Sequence, residues 1–198
     1  MKLIFKTLIF LIAILLLSGC TRSLPPTLPA NYYYEGSYID IHSPNEEGWS
    51  LIGKSTQGIV FGKKGKEKSD SEIAQVLFFP LPQDTKSENK FLSLIEEEFH
   101  KNTNKDRFNI IESDFQLFNQ RKYPCVQLKA LLNDKKAKIS NFSTESLKMK
   151  IKSLYCKDPK TKKRGFMIGY SYRGKTIDPN FNEKADSFIS GVEFPEYK

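Results

Sequence analysis

Between Tyr38 and Tyr172 the chain is written mostly in short extended runs, and this limits its fold more than any other feature of the sequence. Met149-Lys150-Ile151-Lys152-Ser153-Leu154-Tyr155-Cys156 alternates outward and inward side chains almost without a break, the period of a half-buried strand. Tyr38–His42, Trp49–Ile52, Gly58–Gly62, Phe108–Glu112, Phe115–Phe118, Cys125–Ala130 and Gly165–Tyr172 are similarly rich in aromatic and aliphatic residues. Ile73–Phe79 is apolar nearly throughout and stops at Pro80 and Pro82, so it is expected to be a buried central strand. Polar and basic segments separate the runs, which favours antiparallel hairpins over crossovers. Only two stretches carry the helical period. Thr85-Lys86-Ser87-Glu88 matches a capping box, and Phe91, Leu92, Ile95 and Phe99 follow on one face up to Asn102 and Asn104. Near the C-terminus, Asp178 and Pro179 precede a stripe of Phe181, Ala185, Phe188, Ile189 and Val192, with Gly191 at the stop. The pattern predicts an α+β domain: a central antiparallel sheet of about six to eight strands flanked by two main helices. At 198 residues with 13% aromatics, the chain can bury one sizeable core and shows no internal repeat.

The N-terminus is a different kind of text. Lys2 and Lys6 precede the uncharged run Leu8–Leu17, which is half the length a membrane-spanning helix needs and the size of a secretory signal core. Leu17-Ser18-Gly19-Cys20 follows. An aliphatic residue, two small residues and a cysteine in that order resemble the lipobox of bacterial lipoproteins. The resemblance implies that residues 1–19 are a signal peptide and that Cys20 becomes the lipidated N-terminus. It further implies a domain held at a bilayer by more than one acyl chain, since one chain alone binds only marginally. Thr21-Arg22 stand where such proteins often carry the inner-membrane Asp. The implied location is therefore the cell envelope, lipid-anchored, at the outer membrane facing the periplasm. Residues 20–31, with Pro25, Pro26 and Pro29, are expected to form an extended spacer, and residues 32–198 the single globular domain.

A second resemblance concerns the mature domain. A Tyr-bearing strand leading to a Pro turn and Trp49, a mid-chain helix, late hairpins and the closing Ala185-Asp186-Ser187-Phe188-Ile189-Ser190-Gly191-Val192-Glu193-Phe194 are similar to PsbP-like domains over roughly residues 36–195. That likeness implies an α/β/α sandwich used for binding and assembly. It places no functional residues.

Candidate chemistry is sparse. With Cys20 consumed by lipid, Cys125 and Cys156 remain, and an oxidising compartment favours their pairing as a staple between two strands. Buried thiols or a metal pair are the other arrangements open to them, although their spacing fits no zinc pattern. His42 and His100 are the only histidines and belong to no metal motif. Gly169-Tyr170-Ser171-Tyr172-Arg173-Gly174 misses the nucleophile elbow because its second glycine is one place late. Gly62-Lys63-Lys64-Gly65-Lys66 lacks the spacing and hydroxyl of a phosphate loop. Consecutive Glu96, Glu97 and Glu98 fan out around a helix instead of converging. No catalytic, cofactor or metal residues are assigned.

The net charge of +8 concentrates in loops. Lys63, Lys64, Lys66 and Lys68 fall in one, Lys135, Lys136 and Lys138 in another, and Lys157, Lys160, Lys162, Lys163 and Arg164 in a third. Converged at one end of a sheet, they would form a basic patch for an envelope protein or anionic envelope lipid; apart, they are ordinary solvated hairpin tips. Tyr32-Tyr33-Tyr34 is an aromatic contact or an edge-packing segment. Nucleic acid is not an expected partner of an exported chain. These features favour a membrane-anchored, non-enzymatic binding or assembly module. The alternative is a small-ligand carrier or envelope hydrolase whose site no motif reveals.

Overall fold

The computed structural model describes residues 25–35, 39–67, 69–82, 85, 87–140, 143–161 and 163–192. The signal segment, Cys20, Tyr38, Lys68, Lys162 and Glu193–Phe194 therefore lie outside the described residues. The elements are β1 (Tyr33–Tyr34), β2 (Ile41–His42), β3 (Ser50–Ser55), β4 (Gly58–Lys64), β5 (Ser71–Pro80), α1 (Glu88–Asn102), β6 (Phe108–Phe118), β7 (Cys125–Ser140), β8 (Ser143–Lys157), β9 (Arg164–Gly174) and α2 (Phe181–Ser190). Seven strands form one sheet in the order β3-β4-β5-β9-β8-β7-β6, and every neighbouring pair is antiparallel. β1 and β2 form a separate two-stranded ribbon. The fold is α+β, with the sheet flanked by two helices as expected.

Strand alternation puts the helices on opposite faces. Ala74 and Val76 of β5, Ile168 and Tyr170 of β9, and Leu154 and Cys156 of β8 pack with Phe181, Ala185, Phe188 and Ile189 of α2. Trp49, fully buried, and Ile41 close this layer. The in-between residues Val126 and Tyr155 point the other way, to Phe91 and Ile95 of α1. Each helix covers only part of the sheet: α2 lies over β8 and β9, and α1 over β6 and β7. β5 is central and alternate residues are fully buried, because the face opposite α2 is only partly covered there.

Several local expectations shift. The cap of α1 is Ser87, whose hydroxyl accepts from the Lys90 amide at 3.3 Å; Thr85 instead donates to the Pro82 carbonyl at 3.0 Å, so the capping box does not form. Asn180 caps α2 without a side-chain bond, and Asp178 accepts from the Asn180 amide at 2.9 Å. The Phe108 and Phe115 runs join into one strand, β6, through a bulge between Ile110 and Glu112. Lys135, Lys136 and Lys138 belong to strand β7, where a loop was expected. There the β7–β8 hairpin runs on past the partners of the neighbouring strands, so the apolar alternation fades while the backbone ladder persists.

The Pro-rich stretch is extended but does not stand free. Thr27 bridges Ser50, the Leu28 amide donates to the Trp49 carbonyl at 2.6 Å, and Ser50 and Ser43 hydroxyls donate to the Pro25 and Pro29 carbonyls. Asn31, at φ 57°, then reverses the chain so that β1 pairs with β2. Leu28 packs against the main core, which gives the segment an apolar reason to dock.

Candidate functional site

Cys125 and Cys156 face each other directly in the β7–β8 register and are joined, with Sγ–Sγ at 2.07 Å and Cα–Cα at 4.1 Å. Both are buried. The bridge ties the end of the hairpin nearest the β6–β7 and β8–β9 loops.

The basic clusters do not meet in one patch: 63–66 and 157–164 lie at opposite ends of the sheet, and 135–138, beyond Asp134 in β7, lies at the 63–66 end but four strands across. Lys64 pairs with Ser71, which pairs with Arg173, so the 63–66 cluster lies at one end of the sheet. Lys157 pairs with Gly165 and Arg164 with Pro80, at the opposite end. Antiparallel β4 and β5 require this: the turn after β4 and the turn before β9 are separated by a strand length, about 30 Å. Several of these cations are also engaged internally. Lys63 Nζ meets Glu46 at 2.5 Å and lies over the Trp49 ring. Lys157 Nζ donates to the Thr85 carbonyl at 2.5 Å above the Phe91 ring, and burial lowers its pKa. Arg164 pairs with the buried Asp158 at 2.5 Å and covers Phe78. Asp158 also receives the Lys160 amide at 2.8 Å, while Lys163 is exposed in the same loop.

What the fold does bring together is a buried polar cluster that carries no motif. On β9, the Tyr170 hydroxyl donates to Glu72 and the Tyr172 hydroxyl donates to Asp70 at 2.9 Å. Lys184 of α2 reaches Asp178 at 2.9 Å, Glu46 at 3.3 Å and Glu72 at 3.6 Å. Gly48, at φ 86°, makes the turn that follows Glu46. Above the cluster lies a pocket of about 260 Å³ bordered by Asn45, Glu46, Tyr170, Glu183, Lys184 and Ser187. The one sequence signal for it was Glu72, a charged residue at an inward position beside Ala74 and Val76.

Its electrostatics are those of a clasp. Burial, then the bonds to Glu72 and Asp70, push the Tyr170 and Tyr172 phenols far up. Burial works to raise Asp178 and to lower Lys184, but their mutual hydrogen bond and charge prevail, so the carboxyl is lowered and the ammonium raised. The shifts hold Tyr170 and Tyr172 as neutral phenols and Asp178 and Lys184 as a charged pair, the states they already have near pH 7. A general base or acid needs the reverse, a pKa drawn toward the working pH.

A second concavity lies between α1 and the part of the sheet that α1 leaves open. It encloses about 690 Å³, with Leu77, Phe79, Pro80, Leu94, Phe99 and Met167 on its walls and Glu98 and Asn102 at its rim. The rim is ordered: Asn102 and Lys101 donate to Glu98 at 2.8 and 3.3 Å. Tyr155 also lines it, and burial pushes that phenol up to about 12.

No family model matches the sequence, and no curated protein matches it. Among solved structures the chain is similar to a mutant of the protein Mog1, at 10% identity and TM-score 0.42, over 82% of this chain and 95% of that one. It is also similar to the Saccharomyces cerevisiae Ran-binding protein Mog1p, at 9% identity and TM-score 0.41, over 86% and 96%. Likeness at this level carries no inference about activity or partner.

The remaining sequence candidates take structural places. His42 Nδ1 lies 3.1 Å from the Asn31 carbonyl, and His100 meets Phe99 edge-on and Phe115 at a tilt, beside the direct contact of those two rings. Among the described residues no group of three His, Cys, Asp or Glu side chains is placed to hold a metal. Tyr34 packs on Phe61, whereas Tyr32 and Tyr33 remain 44% and 49% exposed.

Proposed function

We propose that the chain is an exported lipoprotein, anchored through acylated Cys20, whose α+β domain acts as a non-enzymatic binding or assembly module at a membrane surface of the cell envelope. The observation that carries the reading is the disposition of the three cysteines. Cys125 and Cys156 are consumed by each other in a buried bridge of the kind exported proteins keep, which leaves Cys20, directly after Leu17-Ser18-Gly19, as the one thiol for lipid. Acylation concentrates the domain beside its partners without any added contact. Thr21-Arg22 favour the outer membrane, facing the periplasm. PsbP-like binding modules remain the family reading for the domain itself.

Intact-mass analysis of the N-terminal peptide from the natural membrane fraction tests the anchor. A diacylglyceryl-bearing Cys20 is expected. A bare Cys20, or unchanged fractionation of Cys20→Ala, removes the proposal. In-cell crosslinking of the lipidated protein then identifies the bound envelope component, and recovery of no macromolecular neighbour counts against a binding module.

The α1 groove favours one second reading, a carrier of small apolar ligands: its volume falls in the range of ligand sites and its walls are chiefly hydrophobic. An environment-sensitive apolar dye should then bind and be lost in Leu77→Asp.

A further inference from the structure

The docked Pro-rich segment fixes where the lipid would attach to the body of the domain. Pro25 is held by Ser50 and Thr27 bridges the same residue on β3, an edge strand of the main sheet. Only residues 21–24 separate Cys20 from Pro25, a reach of at most about 18 Å. The opposite edge, β6, lies six strand spacings away, about 29 Å. Along the strands, Ser50 is level with Ile73, seven residues or about 23 Å from Pro80, the partner of Arg164 at the sheet end bearing Lys163.

An independent observation singles out the same side. Among the described residues, the large apolar side chains left exposed are Tyr32, Tyr33, Ile52 and Ile111. Three of the four lie toward the β3 edge, with Ile52 on the sheet face opposite the one on which the ribbon of Tyr32 and Tyr33 packs. Ile52 is on β3 itself, and Tyr32 and Tyr33 stand where the docked segment turns back along β2. Ile111 is the exception, at the bulge of β6. Tyrosine suits a lipid interface, with an apolar ring and a polar tip. Nearby charges are mixed: Lys54 lies over the Tyr34 ring, and Asp40 and Glu35 act on Tyr33.

We infer that Tyr32, Tyr33 and Ile52, at the β3 edge, form the surface that rests on the bilayer into which Cys20 is anchored. The inference builds on the anchor proposed above and adds an orientation. The contact is apolar and interfacial, and does not depend on anionic headgroups. With β3 turned to the lipid, the β6 edge faces away from it, and the loop of Lys160 and Lys163, between β8 and β9, stands off by three to four strand spacings, about 14–19 Å.

The test uses the full acylated protein in vesicles carrying headgroup-attached nitroxide lipid. Single cysteines at exposed positions (Tyr33→Cys, Ile52→Cys, Ile111→Cys and Lys163→Cys) are labelled with a fluorophore without reductant. The native bridge and the acylated Cys20 leave the new thiol as the target. Quenching several-fold stronger at 33 and 52 than at 111 and 163 is expected, equally in zwitterionic and anionic vesicles. Uniform quenching, stronger quenching at 111 or 163, or loss of the pattern without anionic lipid overturns the orientation. Mass and vesicle flotation are read on the same samples. An unacylated, non-floating protein overturns the anchor and the orientation together, whereas a floating protein with the wrong pattern overturns the orientation alone.

Discussion

Reducing the Cys125–Cys156 bridge is expected to cost a large share of the domain's stability, and the size can be worked from the register. The bridged residues are 31 apart in sequence. In the loop-entropy model, a cross-link of that span removes conformational freedom from the unfolded chain equivalent to about 3.7 kcal/mol. Native contacts change little on reduction, because Cys125 and Cys156 stay opposed in the β7–β8 ladder and two buried thiols behave as small hydrophobes. The experiment is urea unfolding of oxidised protein against protein reduced in denaturant and refolded with reductant present. With an m-value of about 2 kcal/mol/M, the midpoint should fall by about 1.8 M at unchanged m. Cys125→Ser with Cys156→Ser should fall further, since two hydroxyls then sit at dry positions at about 1–3 kcal/mol each when unpaired. Cys125→Ala with Cys156→Ala should lie nearer the reduced protein. A midpoint shift below about 0.5 M would refute the reasoning. It would mean that the hairpin keeps its ends together in the unfolded chain, so that the cross-link constrains nothing new. Rapid reduction of the folded protein would separately contradict the burial.

Further outcomes follow from the buried charges. Asp134 is buried; burial works to raise its pKa, but the Arg107 hydrogen bonds at 2.9 and 2.8 Å, the Lys136 amide and the nearby Arg173 hold it low. A carboxyl lowered in the folded state stabilises fully above the unfolded value near 3.9, and the contribution fades as pH falls through the lower folded value. Stability should thus be level from about pH 7 to 5 and drop below about 4, with a shallower acid limb in Asp134→Asn. Tyr170 and Tyr172 carry the opposite sign. Their phenols are raised, so their contribution is whole below the unfolded value near 10 and is lost as pH climbs above it. Tyrosinate absorbance from these two should appear only together with unfolding. Tyr170→Phe removes a donor to the buried Glu72 carboxylate and should cost about 1.5–3 kcal/mol in chemical melts, while leaving the Lys184–Asp178 pair in place.

The sequence alone determined the class of fold, because burial imposes its period on every strand or helix that covers a core. Gly165–Tyr172 alternates since Phe166, Ile168, Tyr170 and Tyr172 share one packed face, and the Phe181–Val192 stripe has the helical period since α2 lies on that face; in Met149–Cys156, Met149, Ile151 and Tyr155 take the other face, and Leu154 and Cys156 that of α2. It also marked Cys125 and Cys156 as a pair, through compartment and strand-like context. The period carries no information where no core is covered: the outer part of the β7–β8 hairpin read as a basic loop, and Pro25–Asn31 as free spacer. Only tertiary structure decided which distant residues meet. Antiparallel register sent the 63–66 and 157–164 basic clusters to opposite ends of the sheet. Strand order brought Glu72, Tyr170 and Lys184 into one clasp and left a groove beside α1. It also docked the tether on β3. Each of these joins residues far apart along the chain through backbone pairing. Periodicity is a local signal and does not encode which strands lie side by side.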